Sequence, residues 1–166
     1  IAERNLYQGR SLTPRSQVHF NPASPAPGFL FPEKDMRVTG ACQCGEIRYQ
    51  AEVDPQAVGI CHCTDCQRLK GSAYRVTVAA LSGQFQLLTG EAKSYRKMGD
   101  SGRPSHQFFC GHCGSPMWRE SADGEIGLRL GCIDQRRAFA PTHQSFGKSA
   151  LPFVFALQQL PENRDN

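Results

Sequence analysis

Seven of the eight cysteines of this 166-residue chain fall into three short clusters. The outer clusters lie at residues 42–44 and 110–113, and the middle cluster lies at residues 61–66. A structural zinc ion takes four thiolate or imidazole ligands, whereas a reactive zinc ion takes three and leaves a place for water or substrate. The count therefore predicts two sites: a structural zinc on Cys42, Cys44, Cys110 and Cys113, and a catalytic zinc on Cys61, Cys63 and Cys66.

The outer clusters differ in how readily they present two sulfurs to one ion. The later one is a Cys-x-x-Cys sequence with glycines inside and after it, which is typical of a zinc knuckle. Residues two apart on a strand point the same way but lie roughly 6–7 Å apart, so Cys42 and Cys44 require a turn. The flanking Gly40 and Gly45 permit that turn. Disulfides are the alternative, but nothing in the sequence indicates an oxidising compartment.

The middle cluster supplies three thiols, and one compact turn cannot easily supply a fourth. The fourth ligand of a metal there is left open between water, a substrate thiol and a protein side chain. The protein candidates are Cys132, His62 and His106. A lone cysteine is more commonly a buried free thiol, and His62 fits either a hydrogen-bonding neighbour of the site or an ordinary surface histidine.

Charge narrows the chemistry of such a site. Three thiolates on Zn²⁺ leave a net negative charge, which weakens Lewis acidity and favours a soft fourth ligand such as sulfur. A thiol bound there would ionise below its usual pKa of about 8.5 and become a nucleophile at neutral pH, and the matching electrophile is a small carbonyl. Asp65, the nearest carboxylate, either moves a proton or is an ordinary residue of a helix N-terminus.

The pattern after residue 35 predicts a single, mainly β domain over residues 36–166. Sixteen glycines and eleven prolines argue against long helices. Apolar residues alternate with polar ones at 47–53, 74–78, 85–87 and 126–130, which indicates six or more short strands, with turns at 82–83 and 122–124. One short helix is expected, capped by Thr64 with Gln67 as its capping-box partner and ended by Gly71.

The first 35 residues differ from the rest, because they are rich in proline, lack cysteine and show no sustained period. We expect an added leader or a poorly packed extension outside the core fold, with Met36 as a natural first residue. The alternative is a native arm that docks on a partner subunit through apolar side chains, namely Phe20, Phe29, Leu30 and Phe31.

Three functional classes are not expected. No apolar run approaches the roughly 18 residues of a membrane span, and no secretory signal is visible, so the expectation is a cytoplasmic protein without a membrane partner. The formal net charge of +4 is spread along the chain, so nucleic-acid binding is not expected either. The oligomeric state is left open.

Three stretches carry a family resemblance: Gly40-Ala41-Cys42-Gln43-Cys44-Gly45 with Ile47-Arg48-Tyr49; Cys61-His62-Cys63-Thr64-Asp65-Cys66 followed by Gly71-Ser72-Ala73-Tyr74; and Phe109-Cys110 through Gly114-Ser115-Pro116. Together they resemble the glutathione-dependent formaldehyde-activating enzyme family, which also contains centromere protein V, over about residues 38–157. The resemblance implies a β-tent fold of short antiparallel strands around zinc knuckles, and the same division of the cysteines into a structural and a catalytic zinc. It also implies glutathione as the thiol and S-hydroxymethylglutathione as the product of a carbon–sulfur lyase.

The leading hypothesis is thus a zinc-dependent carbon–sulfur lyase or synthase with two zinc ions per chain, glutathione as co-substrate and a small aldehyde as partner. The three-cysteine site is the one easily stripped or oxidised. The alternative is a non-catalytic, zinc-stabilised β domain that binds a protein or chromatin, and a third reading is a redox dithiol protein. Three cations after the middle cluster either meet glutathione's carboxylates or are ordinary exposed side chains: Arg68, Lys70 and Arg75.

Overall fold

The computed structural model describes residues 35–99 and 102–161. Its strands are β1 (Met36–Ala41), β2 (Arg48–Cys61), β3 (Arg75–Thr89), β4 (Ala92–Met98), β5 (Pro104–Cys110), β6 (Pro116–Ser121), β7 (Ile126–Arg129) and β8 (His143–Ser145). One α-helix, α1 (Thr64–Lys70), and the 3₁₀ helices Leu130–Cys132, Arg136–Ala138, Gly147–Ser149 and Pro152–Gln159 complete the described part of the chain. The predicted fold class, mainly β with short helices, is confirmed. The predicted N-terminal extension covers residues 1–35, of which residues 1–34 lie outside the described residues.

All eight strands belong to one sheet, in the order β1-β2-β3-β7-β6-β5-β4, with β8 alongside β2. The neighbours along this path pair antiparallel, whereas β8 pairs parallel with β2. No described helix is long and apolar enough to cross a membrane.

Two strands are longer than the sequence pattern indicates, because turn-forming residues sit inside them. Strand β3 has 15 residues and continues through the expected turn at 82–83. Ala51 pairs with Phe85 but Val53 pairs with Ala80, so residues 81–84 form a bulge rather than a chain reversal. Strand β2 has 14 residues and contains Pro55, which lies where the pairing register shifts, as a residue without an N–H must.

One face of the sheet forms the hydrophobic core. The predicted alternation in β2 is seen directly, since Tyr49, Ala51 and Val53 are buried while their neighbours are partly exposed. The ring of Trp118 packs on Phe85 and Phe108, each with a centroid distance of 4.9 Å. Burial of such a side chain contributes about 1.5–3 kcal/mol. The core therefore ties the centre of the sheet into one packed layer.

The other face carries a row of polar residues, which we call the polar face. Residues paired across neighbouring strands share a face of the sheet. Arg75 pairs with Cys61, Thr77 pairs with Arg129, and Arg119 pairs with both Gly127 and Gln107. A polar row therefore runs from β2 across the sheet to β5, beginning at a cysteine of the middle cluster.

The sheet curls toward its polar face. In a flat sheet, four strand spacings of about 4.8 Å would separate β3 from β4. Lys97 on β4 nevertheless forms an ion pair with Asp65 in α1, the helix that precedes β3, with 2.7 Å between Nζ and Oδ2. The polar face is thus concave, with α1 and β4 closing toward each other over it.

Candidate metal centres and the adjoining cavity

The cysteines of the two outer clusters come together at one point, which we call the four-thiol cluster. Cys42 and Cys44 lie in the turn between β1 and β2, and Cys110 and Cys113 lie at the end of β5 and in the turn after it. Their four sulfur atoms lie within 4.8 Å of one another, and the Sγ atoms of Cys44 and Cys110 are 3.7 Å apart. Two sulfurs on one tetrahedral zinc ion are separated by roughly 3.8 Å, so the donor set fits such an ion.

Backbone turns and hydrogen bonds prepare the four-thiol cluster. The turn that Cys42 and Cys44 require is present, with Gly45 at a φ of 78° and its N–H donating to the Cys42 carbonyl. The N–H of Ile47 donates to the Cys42 sulfur at 3.3 Å. A hydrogen bond with Ser115 lowers the pKa of Cys113 to about 5. These contacts favour the thiolate forms that bind metal.

The three cysteines of the middle cluster form a second group, the three-thiol cluster. Their sulfur atoms are separated by 3.5 Å between Cys61 and Cys63, 3.1 Å between Cys63 and Cys66, and 3.3 Å between Cys66 and Cys61. This triangle is a few tenths of an ångström tighter than the edge of a zinc–thiolate tetrahedron, roughly 3.8 Å, and matches one face of it. Within the described residues the group contains three possible ligands and no fourth.

A cysteine, rather than the predicted Thr64, caps helix α1. The N-cap is Cys63, whose sulfur accepts a hydrogen bond from the N–H of Cys66 at 3.4 Å. Gln67 does not form a capping box, because its side-chain amide donates to the carbonyls of His62 and Ser149. Gly71 ends the helix in the left-handed conformation, as predicted. The sequence predicts Thr64 as the cap, but the structure places the preceding residue, Cys63, in that position.

Two of the three thiols, Cys61 and Cys66, differ in how readily they ionise. The Cys66 thiol donates to the Cys61 sulfur, which lowers the pKa of Cys61 to about 4. The same bond raises the pKa of Cys66, because the proton it donates is lost when Cys66 ionises. Strand β8 assists, since Ser145 pairs with Cys61 and its hydroxyl also favours the Cys61 thiolate. One sulfur of the cluster is therefore set up as an anion by its neighbours.

The other side chains considered as a fourth ligand lie elsewhere. The Cys132 thiol donates to the carbonyl of Pro116, and its partial burial raises the pKa of Cys132, which is the behaviour of a partly buried free thiol. His106 lies on β5, where its ring contacts Phe108. Neither joins the three-thiol cluster among the described residues.

His62 lies within the loop of the three-thiol cluster and anchors it to the rest of the protein. It is fully buried, which excludes the surface interpretation, and its Nε2 is hydrogen-bonded to Gln144 at 3.0 Å. Its ring lies near those of Tyr74 and Phe155, with centroid distances of 5.8 and 6.2 Å. Through Gln144 the histidine ties this loop to β8, so it acts on the orientation of the adjacent cysteines.

A cavity of about 510 Å³ adjoins the three-thiol cluster on the polar face. Its wall includes Cys61 and Ser145 together with Arg75 and Arg119, and its far end includes Glu125. A second cavity of about 730 Å³ lies near the end of α1 and is lined by Lys70, Arg75, Arg129 and Cys132. Pockets of a few hundred cubic ångströms are the usual size of small-molecule sites. The three-thiol cluster therefore borders a space large enough for a substrate.

Two arginines of these cavities are absent from the candidates that the sequence suggests. Arg119 and Arg129 lie on β6 and β7, each facing away from apolar neighbours that belong to the core. The alternation of residues in β7 could have predicted this position, since Ile126 and Leu128 lie on one face of the strand and Arg129 lies on the other. Of the candidates that were named, Lys70 and Arg75 line a cavity, whereas Arg68 is exposed and lies outside both.

Two of three comparisons with known proteins find a match. A family model described as glutathione-dependent formaldehyde-activating enzyme matches residues 37–149, a range that contains both cysteine clusters. A search of curated proteins finds no match. Among solved structures, the chain is similar to the crystal structure of a Rhodobacter sphaeroides protein, with a TM-score of 0.52 and 18% sequence identity over 64% of this chain and 99% of that one. At that identity the likeness shows the fold alone.

Proposed function

The chain belongs to the glutathione-dependent formaldehyde-activating enzyme family, and we propose that it is a zinc-dependent carbon–sulfur lyase or synthase. Its substrates would be a thiol, namely glutathione, and a small aldehyde such as formaldehyde. The observation that carries the proposal is that three free thiols have no fourth protein ligand among the described residues, and that one of them, Cys61, lines a substrate-sized cavity. A cluster of this composition suits reaction rather than scaffolding.

The proposal assigns different tasks to the two clusters. Cys42, Cys44, Cys110 and Cys113 would hold a structural zinc, whose four protein ligands complete a tetrahedron. Cys61, Cys63 and Cys66 would hold the catalytic zinc. When bound there, zinc favours the thiolate form of an entering thiol at neutral pH and so supplies a sulfur nucleophile. All eight cysteines are free thiols in the structure, so the proposal includes a reducing compartment such as the cytoplasm.

The reaction needs little more than binding and orientation from the protein. In the forward direction the sulfur forms a bond to the carbonyl carbon, the carbon–oxygen double bond becomes a single bond, and the proton lost by the thiol ends on that oxygen. The reverse reaction breaks the same carbon–sulfur bond. The cavity beside Cys61 would hold the two reactants together, which is the source of much of the rate gain in additions of this kind. Asp65 pairs with Lys97, which favours its structural interpretation over proton transfer.

Metal content and exchange kinetics test the proposal together. We expect two zinc ions per chain, and we expect the loaded protein to accelerate exchange between formaldehyde plus glutathione and their adduct, followed by exchange NMR. The matched control is Cys132→Ala, which should keep both ions and full acceleration because Cys132 lies outside both clusters. One ion per chain in reduced protein incubated with excess zinc, or two ions with exchange no faster than in buffer, would contradict the proposal.

A specific observation also favours the non-catalytic alternative, a zinc-stabilised domain that binds a protein. The helix Pro152–Gln159 and the residue after it expose large apolar side chains, with Phe153 at 52%, Phe155 at 54% and Leu160 at 59% exposure. Exposed apolar groups of this kind are common at interaction surfaces. If this surface is the function, Phe153→Ser should abolish partner binding, whereas Cys66→Ser should leave it intact.

A further inference from the structure

Four cations gather at the polar face and its edge, and we call them the cation cluster: Lys70, Arg75, Arg119 and Arg129. Arg129 is only 4% exposed. Burial, followed by the nearby Arg75, lowers the pKa of Arg129 to about 9, and burial followed by Arg129 lowers the pKa of Lys70 to about 7. Burial and Arg75 also lower the pKa of Arg119. The members of the cluster thus repel one another in surroundings that offer little water.

Among the described residues, the anionic groups that act on the cation cluster include the thiols of Cys61 and Cys66 and the exposed Glu125, and no carboxylate forms an ion pair with it. The two ion pairs among the described residues are Lys97–Asp65 and Arg103–Asp123, and neither includes a member of the cation cluster. Arg129 donates to the neutral side chains of Gln107 and Thr77, at 2.6 and 3.2 Å. The Nε atoms of Arg75 and Arg129 are buried without a hydrogen-bond partner. Native proteins rarely leave buried guanidinium groups in this state, and an anionic ligand is one way to complete them.

The cavity beside Cys61 places two of these cations where a substrate would lie. Arg75 pairs with Cys61 across β2 and β3, and it lines both cavities. Arg119 lies flat across Gly127, where an added Cβ would be 3.2 Å from its Nε. The glycine leaves the room that this guanidinium occupies. Two guanidinium groups therefore face the same space as the Cys61 sulfur.

The far end of the same cavity has the opposite charge. Asp123 and Glu125, in the turn between β6 and β7, line it. Asp123 is already paired with Arg103, whereas Glu125 is exposed and acts on Arg119. A cavity with cations near the sulfur cluster and a carboxylate at the far end suits a zwitterionic ligand. It disfavours phosphates and other polyanions, which the acidic end would repel.

We propose that Arg75 and Arg119 form a carboxylate-binding subsite beside the three-thiol cluster, so that the thiol co-substrate must carry a carboxylate. The inference rests on the proposed function for the position of the sulfur. Arginine suits this task because its planar fork can bind a carboxylate through two parallel hydrogen bonds. The same subsite would orient the thiol, since two fixed points, sulfur and carboxylate, define its direction in the cavity.

Calorimetric titration of the zinc-loaded full chain with three probes tests the subsite. Glutathione has both thiol and carboxylates, its diethyl ester has the thiol but no carboxylate, and S-methylglutathione has the carboxylates but a blocked sulfur. We expect Arg119→Gln and Arg75→Gln each to weaken glutathione binding roughly ten- to a hundredfold, as loss of a charged hydrogen bond does, and to leave binding of the diethyl ester at its wild-type level. Arg48→Gln, an exposed arginine of β2 outside both cavities, should bind all probes like the wild type.

The outcomes separate this inference from the proposed function. If S-methylglutathione binds the wild type and fails to bind Arg119→Gln while no aldehyde addition is catalysed, the subsite holds and the proposed function fails. If glutathione and its diethyl ester bind the wild type equally, or if both glutamine variants bind glutathione normally, the subsite is overturned. Displacement of S-methylglutathione by inorganic phosphate at equal concentration would also overturn the assignment to a carboxylate. Arg119→Lys, which keeps the charge, should restore part of the affinity and shows that loss in the glutamine variant is not misfolding.

Discussion

The two cysteine clusters use the same ligand in different surroundings. The four-thiol cluster joins the turn after β1 to the end of β5, and its Cys42 and Cys110 are buried in the hydrophobic core. The three-thiol cluster comes from a single short stretch, and its Cys61 lines the cavity on the polar face, while Cys42 of the four-thiol cluster lines the second cavity. A metal in the first site would crosslink distant parts of the sheet, whereas a metal in the second would crosslink very little. We therefore expect the number of sulfurs and the length of chain that they join, rather than the type of ligand, to distinguish a stabilising site from a reactive one.

The electrostatic surroundings sharpen the contrast. The cations Lys70, Arg75 and Arg119 act on the cysteines of the three-thiol cluster, as their mutual effects on pKa show. The four-thiol cluster instead relies on local groups, such as the Ile47 N–H and the Ser115 hydroxyl. Cations beside a thiolate site favour the binding of anionic ligands, whereas hydrogen-bond donors from neighbouring residues favour the thiolate form of the protein's own cysteines. Substitutions in the two clusters should therefore have effects of different kinds and sizes.

The largest effect is expected from breaking the four-thiol cluster. Cys113→Ser should lower the free energy of unfolding by about 4 kcal/mol or more, because metal binding at a site that joins distant segments is folding free energy. Thermal unfolding followed by circular dichroism, with zinc content measured on the same sample, checks this. His112→Ser, an exposed residue in the same turn, is the matched control and should unfold like the wild type. A Cys113→Ser protein with the melting temperature of the wild type would contradict a stabilising role for the four-thiol cluster.

Breaking the three-thiol cluster should separate activity from stability. Cys66→Ser removes a sulfur that contacts both other thiols of the cluster. We expect loss of one zinc ion and of thiol-dependent exchange, with a change in the free energy of unfolding of about 1 kcal/mol, since the site closes no long loop. Zinc analysis, exchange NMR and thermal unfolding on one preparation measure all three. Equal melting temperatures for Cys66→Ser and Cys113→Ser would show that the clusters do not divide their tasks.

A smaller effect is expected from crowding the polar face without touching a cysteine. In Gly127→Ala the new Cβ would lie 2.6 Å from the Thr77 methyl and 3.2 Å from the Arg119 Nε. We expect the free energy of unfolding to fall by about 1 kcal/mol, because the cost of overpacking exceeds the stabilisation that alanine gives by lowering the conformational entropy of the unfolded chain. We also expect weaker binding of glutathione. Gly131→Ala, where no atom lies within 4 Å of the added Cβ, is the control. Unchanged glutathione binding in Gly127→Ala would argue against a role for the Arg119 position.

The smallest effect concerns pH and Lys70. Its pKa is lowered from 10.5 to about 7 in the folded protein, first by burial and then by Arg129. Between those values the unfolded chain binds more protons than the folded one, so stability should rise as the pH rises from about 7 toward 10. After allowance for solvent screening we expect no more than about 1–2 kcal/mol from this group. Lys70→Gln should flatten the profile measured by chemical unfolding at several pH values, and an unchanged slope would contradict the burial of the ammonium group.

Local sequence patterns predicted much of this molecule, and the misses have physical causes. Alternation located the buried side of β2, and cysteine spacing grouped the sulfurs that the structure brings together. The sequence Ser82-Gly83 predicted a turn, and Gly83 does adopt a positive φ of 71°. Strand pairing on either side of it nevertheless continues, so β3 passes through this point as a bulge. A positive φ limits the backbone at one residue and cannot say whether the chain then reverses. Long-range pairing decides that.

The polar face could not be predicted from short stretches of sequence for a related reason. Arg75, Arg119 and Arg129 lie on different strands, and only the order β3-β7-β6 brings them side by side. That order departs from the order along the chain, so no window of sequence contains the juxtaposition. The burial of His62 was missed likewise, because its neighbours Gln144 and Phe155 come from the C-terminal part of the chain.

The spacing of the ligands along the chain also bears on synthesis at the ribosome. The three-thiol cluster is complete as soon as residues 61–66 have left the exit tunnel, whereas Cys44 must wait for Cys110, 66 residues later. If both clusters bind zinc as proposed, a nascent polypeptide would hold all three sulfurs of one site long before the sheet around it exists. The four-thiol site would be complete only once the N-terminal and central strands have both been made, so binding there would show that translation has passed the middle of the domain.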